Sequence, residues 1–172
     1  KVICPGDPVE VTGAVEAMLK DPAPCYLRVG ARGEPNIHSK PIAFRIGRGY
    51  VVRSGKDAVL IATGNMLAST VAAADMLATA RWARPFGAKR AANVAVVSMP
   101  TVKPLDGALL RNLGRTFRHL FTVEEHTTIG GFGSAVAEFF ADEREQPRVH
   151  RIALKDEFQK TAGSPDWLRA KN

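Results

Sequence analysis

Residues 121–140, FTVEEHTTIGGFGSAVAEFF, constrain this chain more than any other stretch. Residues 119–123 form a short apolar run with β-branched and aromatic members bounded by charge, the pattern of a buried strand. A polar turn over residues 124–133 follows, with glycines at Gly130, Gly131 and Gly133. Phe132, Val136, Phe139 and Phe140 then recur at i, i+4, i+7 and i+8, the stripe of a helix with one buried face. A strand that runs through a glycine turn into a helix is the βα unit of an open α/β sheet. Ligands or partners of such sheets meet the carboxyl ends of the strands.

The turn itself has two readings. Successive backbone N–H groups at a helix N-terminus favour an anion, which makes Gly130, Gly131 and Gly133 a candidate anion-binding turn. The spacing is neither GxGxxG nor GxxxxGKS/T, and no ribose-binding acid follows in the usual place. The second reading is that glycine allows a tight turn and close packing of helix on sheet. Glu124, Glu125 and His126 pose a similar choice between a metal or proton-sharing group and ordinary strand-end residues. Consecutive residues on an extended chain point to opposite faces, which favours an acid that binds nearby backbone N–H groups.

Upstream, residues 2–4 read as a strand end. Asp7-Pro8-Val9-Glu10 combines an N-cap, a proline at the first helical position and an acid three residues after the cap. That helix carries Val11, Val15, Met18 and Leu19, and stops before Pro22, ahead of a second strand over residues 25–29. This βαβ piece is too short to be a domain and reads as the tail of one, in a chain that opens in a strand-like run without Met. Residues 30–44 hold two prolines and mixed charge without periodicity, the composition of a linker.

From residue 50 the pattern is strand, Ser54-Gly55-Lys56 turn and strand, an expected β-hairpin whose second strand is almost wholly apolar. A helix striped by Leu67, Val71, Ala74 and Leu77 comes next, then an expected basic loop over residues 81–92. Residues 93–99 read as a buried strand and residues 100–104 as a turn. Asp106 caps a helix striped by Leu109, Leu110, Leu113 and Phe117, and residues 149–154 form a last strand. Residues around Pro165, Trp167 and Leu168 form a tail or short helix. Strands alternating with helices in this way predict an α/β fold. The expected form is a three-layer α/β/α sandwich around a mostly parallel five-stranded sheet with one antiparallel edge strand.

Composition narrows the partners. The 172 residues are 45% hydrophobic and 24% charged, as in a soluble globular protein, and no apolar run approaches the ~20 residues of a membrane span. The net charge of +7 raises nucleic acid as a ligand. Its basic residues are scattered, with one cluster at Arg81, Arg84, Lys89 and Arg90, and no RNA-stacking motif, zinc spacing or recognition helix accompanies them. Neither nucleic acid nor a membrane is therefore expected. Cys4 and Cys25 suit a reducing, cytoplasmic setting and read as small buried residues.

The ordered series GDPVE, PCYLRVGARGEP, RIGRGYVVRSGKDAVLIATGNM, TVKPLDGALL and FTVEEHTTIGGFGSAVAEFF resembles the transketolase family of thiamine diphosphate enzymes. The likeness covers nearly the whole chain and is nearest to the C-terminal sections of split transketolases and to deoxyxylulose-phosphate synthases. It implies a terminal βαβ piece of a pyrimidine-binding domain over residues 1–30, a linker over 31–45 and a transketolase C-terminal domain over 46–172. It also implies thiamine diphosphate and a divalent metal such as Mg in the complete enzyme, with none held by this chain alone. The diphosphate-binding and pyrimidine-binding regions would come from elsewhere, in a homodimer or heterotetramer that transfers two-carbon ketol units between sugar phosphates.

By the same resemblance, the segment from Pro24 to Gly33 delivers a substrate-phosphate arginine. Arg32 is the best match and Arg28 the second, with no catalytic residue expected in this chain. A guanidinium suits phosphate because its donor fork is bidentate and always charged. His38 lies close by in sequence and reads as a solvated loop histidine. The alternatives are a subunit-binding module of a 2-oxoacid dehydrogenase or deoxyxylulose-phosphate synthase, and a stand-alone anion or nucleotide binder at the glycine turn.

Overall fold

A βαβ unit opens the chain: β1 (Val2–Ile3), α1 (Pro8–Lys20) and β2 (Tyr26–Leu27). Asp7 accepts the Glu10 N–H at 2.8 Å and Pro8 occupies the first helical position, so the start signals act as the sequence predicts. The computed structural model describes residues 1–30, 33–79, 82–84, 87–144, 146–158, 160–164 and 167–168. After β2 come β3 (Tyr50–Arg53), β4 (Ala58–Ala62), α2 (Met66–Thr79), β5 (Trp82–Arg84) and β6 (Gly87–Arg90). Then follow β7 (Val94–Ser98), β8 (Thr101–Lys103), α3 (Gly107–Thr116), β9 (His119–Thr127), α4 (Phe132–Ala141) and β10 (Arg148–Leu154).

The main sheet has the order β10-β9-β4-β7-β3. All its pairings are parallel except that of β3, which runs antiparallel along β7 at the edge. Successive residues of β4 and β7 are buried on both faces, which explains their unbroken apolar runs. Val59, Ile61, Ala95 and Val97 face α3 and α4, meeting Leu110, Leu113, Phe132, Val136 and Phe140. Leu60, Ala62, Val94 and Val96 face the opposite way, against Leu67 and Ala74 of α2. This is the expected three-layer sandwich. Among the described residues, no helix is long and apolar enough to cross a membrane.

Several expectations need correction. No hairpin joins β3 to β4, because β7 lies between them. The connecting turn wraps around the start of β7. Lys56 and Asp57 N–H groups both donate to the Asn93 carbonyl at 2.9 Å, and a Cβ on Gly55 would overlap the Ala95 amide nitrogen. Only glycine lets the backbones pass so closely. Residues 100–104 are not a simple turn, since β8 pairs antiparallel with β1 and satisfies an edge otherwise left open. The basic stretch over residues 81–92 holds an antiparallel ribbon, with Trp82 opposite Arg90 and Arg84 opposite Gly87. Two runs separated by two residues are spaced as a hairpin. Arg81, Pro85 and Pro165 lie outside the described residues.

Strand lengths differ too. β9 continues to Thr127, four residues past the expected end, because β10 runs alongside it as far as the Leu154–Thr127 pair. β2 is shorter than expected and has β1 as its one neighbour in the sheet. Cys4 is buried as expected, while Cys25 is half-buried with its Sγ 3.2 Å from the Ala23 carbonyl.

Chain order sets where a site can form. β4 leads through α2 to β7 on one side, and the crossover through α3 returns the chain to β9 on the other side of β4. The carboxyl ends of β4 and β9 therefore flank a topological switch point, where α/β sheets open a crevice. The amino-terminal unit docks on this end of the sheet. The Gly64 N–H, just after β4, donates to the Cys4 carbonyl at 2.9 Å, and the Cys4 N–H donates to the Pro100 carbonyl.

Candidate functional site

At the switch point an arginine of the first unit meets an acid of the main sheet. The Arg28 backbone N–H donates to the Ile3 carbonyl at 2.9 Å, which fixes where its side chain starts. Its Nη2 reaches Glu125 Oε2 at 3.3 Å across 97 residues of sequence. The same Oε2 accepts from Asn65 Nδ2 at 2.7 Å, so the loop after β4 and the end of β9 hold this carboxylate jointly. Gly64 sits at φ +62°, and a Cβ there would lie 3.7 Å from Arg28 Nη1. Asn65 Oδ1 and Thr63 Oγ1 are buried beside this junction without hydrogen-bond partners. Cys4 lies close enough to respond to Arg28: burial dominates and raises its thiol pKa, Arg28 opposes this, and Glu124 on the adjoining strand adds to it. Arg32, the first-choice phosphate arginine, lies outside the described residues.

Glu124 and Glu125 point in opposite directions, as extended neighbours must. Glu124 is buried, and its two oxygens accept the N–H groups of Phe132 and Gly133 at 2.6 Å each. The carboxylate therefore caps α4 and complements the positive end of its dipole. A Cβ on Gly131 would fall within that carboxylate, and the Gly130 N–H donates to Ser134 Oγ at 3.1 Å. At Gly130, Gly131 and Gly133 the chain thus supplies an anion of its own where a ligand anion would sit. His126 is exposed, with its ring beside Thr127.

A second polar cluster was not legible in the sequence. His38, expected in solvent, packs against α1 with its side chain only 11% exposed. Asp7 Oδ2 accepts the N–H groups of Ile37 and His38 at 2.9 and 2.8 Å and lies 3.0 Å from His38 Nδ1. Glu10 Oε2 accepts the Gly6 N–H at 2.7 Å. Its Oε1 stands 3.9 Å from His38 Nε2, with the Ser98 hydroxyl buried nearby. Burial pushes the Asp7 carboxyl up, but donors from His38 and Glu10 outweigh it and leave the net shift downward. For Glu10, burial dominates and raises the pKa, with Asp7 adding to the effect. Ser98, the Gly6 N–H and His38 oppose it. The local signal for Asp7 was its cap spacing, whereas nothing near His38 in sequence announces a partner 31 residues away. Among the described residues, no group of three or more His, Cys, Asp or Glu side chains is placed to hold a metal ion.

The decisive comparison concerns the main sheet. Residues 47–170 match the family model described as transketolase, C-terminal domain. The chain belongs to this family. It is 32% identical over 158 residues to the 1-deoxy-D-xylulose-5-phosphate synthase of Synechococcus sp. (strain WH7803), covering 90% of this chain and 23% of the synthase. The synthase of Desulforudis audaxviator (strain MP104C) is 40% identical over 131 residues, covering 76% of this chain and 19% of that protein. A solved structure named "split gene transketolase, inactive beta4 tetramer" aligns with a TM-score of 0.87 and 34% identity, over 99% of this chain and 52% of that one. The transketolase C-terminal domain and its amino-terminal extension thus span about a fifth of those synthases and about half of the split-gene protein.

Proposed function

We propose that this chain is the C-terminal portion of a transketolase-type enzyme that transfers two-carbon ketol units between sugar phosphates in the cytoplasm. Its part is scaffold, subunit interface and a substrate-phosphate arginine, Arg32 or Arg28, while other regions of the enzyme hold the cofactor. The alignment with the split-gene transketolase is the observation that carries this reading, because it includes the βαβ unit as well as the C-terminal domain. Thiamine diphosphate, bound with a divalent metal, supplies the electron sink for cleaving and forming the carbon–carbon bond. Among the described residues no group of three or more His, Cys, Asp or Glu side chains is placed to hold that metal, and no chemical step is assigned to this chain. The complete enzyme is a homodimer or a heterotetramer of split subunits.

Reconstitution tests the division of labour. The isolated chain is expected to show no ketol transfer, and activity is expected when the diphosphate-binding and pyrimidine-binding regions are supplied in one polypeptide or as a second subunit. Transfer catalysed by the isolated chain would overturn the assignment, as would an inactive reconstituted enzyme. A second reading, favoured by the 40% identity to a deoxyxylulose-phosphate synthase, assigns the complete enzyme that product instead. Assaying one preparation both for ketol transfer to sugar phosphates and for 1-deoxy-D-xylulose 5-phosphate separates the two.

A further inference from the structure

We infer that Glu125, held by Asn65, is a positioning residue: it orients the Arg28 guanidinium for a substrate phosphate and so makes the C-terminal domain a determinant of phosphate affinity. This rests on the proposed function above and deepens it by assigning a role to a domain otherwise read as scaffold.

β2 is two residues long, Arg28 follows it directly, and the Arg28 side chain is 42% exposed. A long side chain in that setting samples many rotamers and loses that freedom when it binds an anion. Glu125 sits on β9 just past the last residue paired with β4, where the register against β10 shifts, with its side chain 22% exposed and its Oε2 held by Asn65 at 2.7 Å. A carboxylate already held by a second side chain thus presents an acceptor to an exposed arginine. The contact uses Nη2, and a guanidinium carries five N–H donors on a planar fork. One edge can therefore stay on the carboxylate while another faces a phosphate. Nη1 lies on the Gly64 side, where even a Cβ would make only ordinary contact at 3.7 Å.

Glu125 also lowers the local positive charge, which opposes anion binding. The two effects are separable by experiment, because orientation acts only through Arg28. A charge effect would act on the phosphate whether or not Arg28 is present.

The test uses the complete enzyme and compares a ketose phosphate with the unphosphorylated ketose, by calorimetric Kd and by kcat/KM. Wild type, Glu125→Gln, Asn65→Ala, Arg28→Ala and the Arg28→Ala/Glu125→Gln double variant are measured. Glu125→Gln is expected to weaken ketose phosphate binding about 3- to 10-fold and to reduce the preference for the phosphorylated sugar by a similar factor. Asn65→Ala is expected to act in the same direction, and it supplies the measurement if Glu125→Gln fails to fold. The double variant should bind no more weakly than Arg28→Ala alone. Equal losses with both sugars would mark Glu125 as merely structural and overturn the inference. Independent, additive losses in the double variant would do the same, as would unchanged or tighter phosphate binding. The binding measurements need no turnover, so an enzyme without ketol transfer would refute the proposed function while still judging Glu125.

Discussion

His38 meets Asp7 twice, through its backbone N–H at 2.8 Å and its ring Nδ1 at 3.0 Å, both on Oδ2. One buried carboxylate therefore caps α1 with Oδ1 and anchors the segment between the two sheets with Oδ2. Losing it removes a helix cap and several charge-assisted hydrogen bonds. Asp7→Ala is expected to cost about 2–4 kcal/mol in denaturant unfolding. The net shift in the Asp7 pKa is downward, so its contribution is present above the ordinary value of 3.8 and disappears as pH falls through the lower folded value. A wild-type stability curve that kept its full height through that acid range would contradict this.

Glu10 behaves in the opposite sense. Its folded pKa is raised above the ordinary 4.5, chiefly by burial, so folding favours the protonated form. The favourable contribution is complete below that ordinary value and is lost as pH rises through the folded one. Glu10→Gln removes the ionisation while keeping an oxygen for the Gly6 N–H. The variant is expected to gain on wild type in melting temperature as pH rises from about 4.5 to 8, with no gain at the acid end. Parallel melting curves across that range would show that Glu10 does not titrate in the way its burial implies.

Neighbouring glycines in the α4 turn should respond differently to alanine. Gly130 has φ +73° and open space around it, so Gly130→Ala pays only the left-handed backbone strain of about 1–2 kcal/mol. Gly131→Ala drives a methyl into Glu124 and must lift the carboxylate off Phe132 and Gly133, at roughly 3 kcal/mol. In a Glu124→Ala background the Gly131→Ala cost should shrink, giving a coupling energy in the double-mutant cycle. Equal costs in both backgrounds would rule out Glu124 as the obstacle.

Arg32→Ala in the complete enzyme is expected to raise KM for sugar phosphates by about 10- to 150-fold. That corresponds to losing a charge-assisted hydrogen bond of ~1.5–3 kcal/mol. Steady-state kinetics with a ketose phosphate decides it, and an unchanged KM would remove Arg32 as the phosphate anchor.

Much of this was legible in advance where the signal is local. The Asp7 and Asp106 caps lie three residues from the N–H groups they accept. The Phe132, Val136 and Phe140 stripe declares a buried helix face without reference to the rest of the chain. The opposed directions of Glu124 and Glu125 follow from the alternation of an extended strand. The glycines marked a turn, but which anion fills it depended on a carboxylate eight residues back.

The sequence by itself determined the kinds and order of the main elements, because periodicity, caps and turn residues act within a few positions along the chain. Tertiary structure alone decided that β7 would separate β3 from β4, that β8 would complete the edge of β1, and that His38 and Arg28 would find Asp7 and Glu125. Those pairings join groups that are distant in sequence. Unsatisfied backbone edges and buried charges take whichever partner the packed layers bring within reach, and no short window of residues encodes that distance.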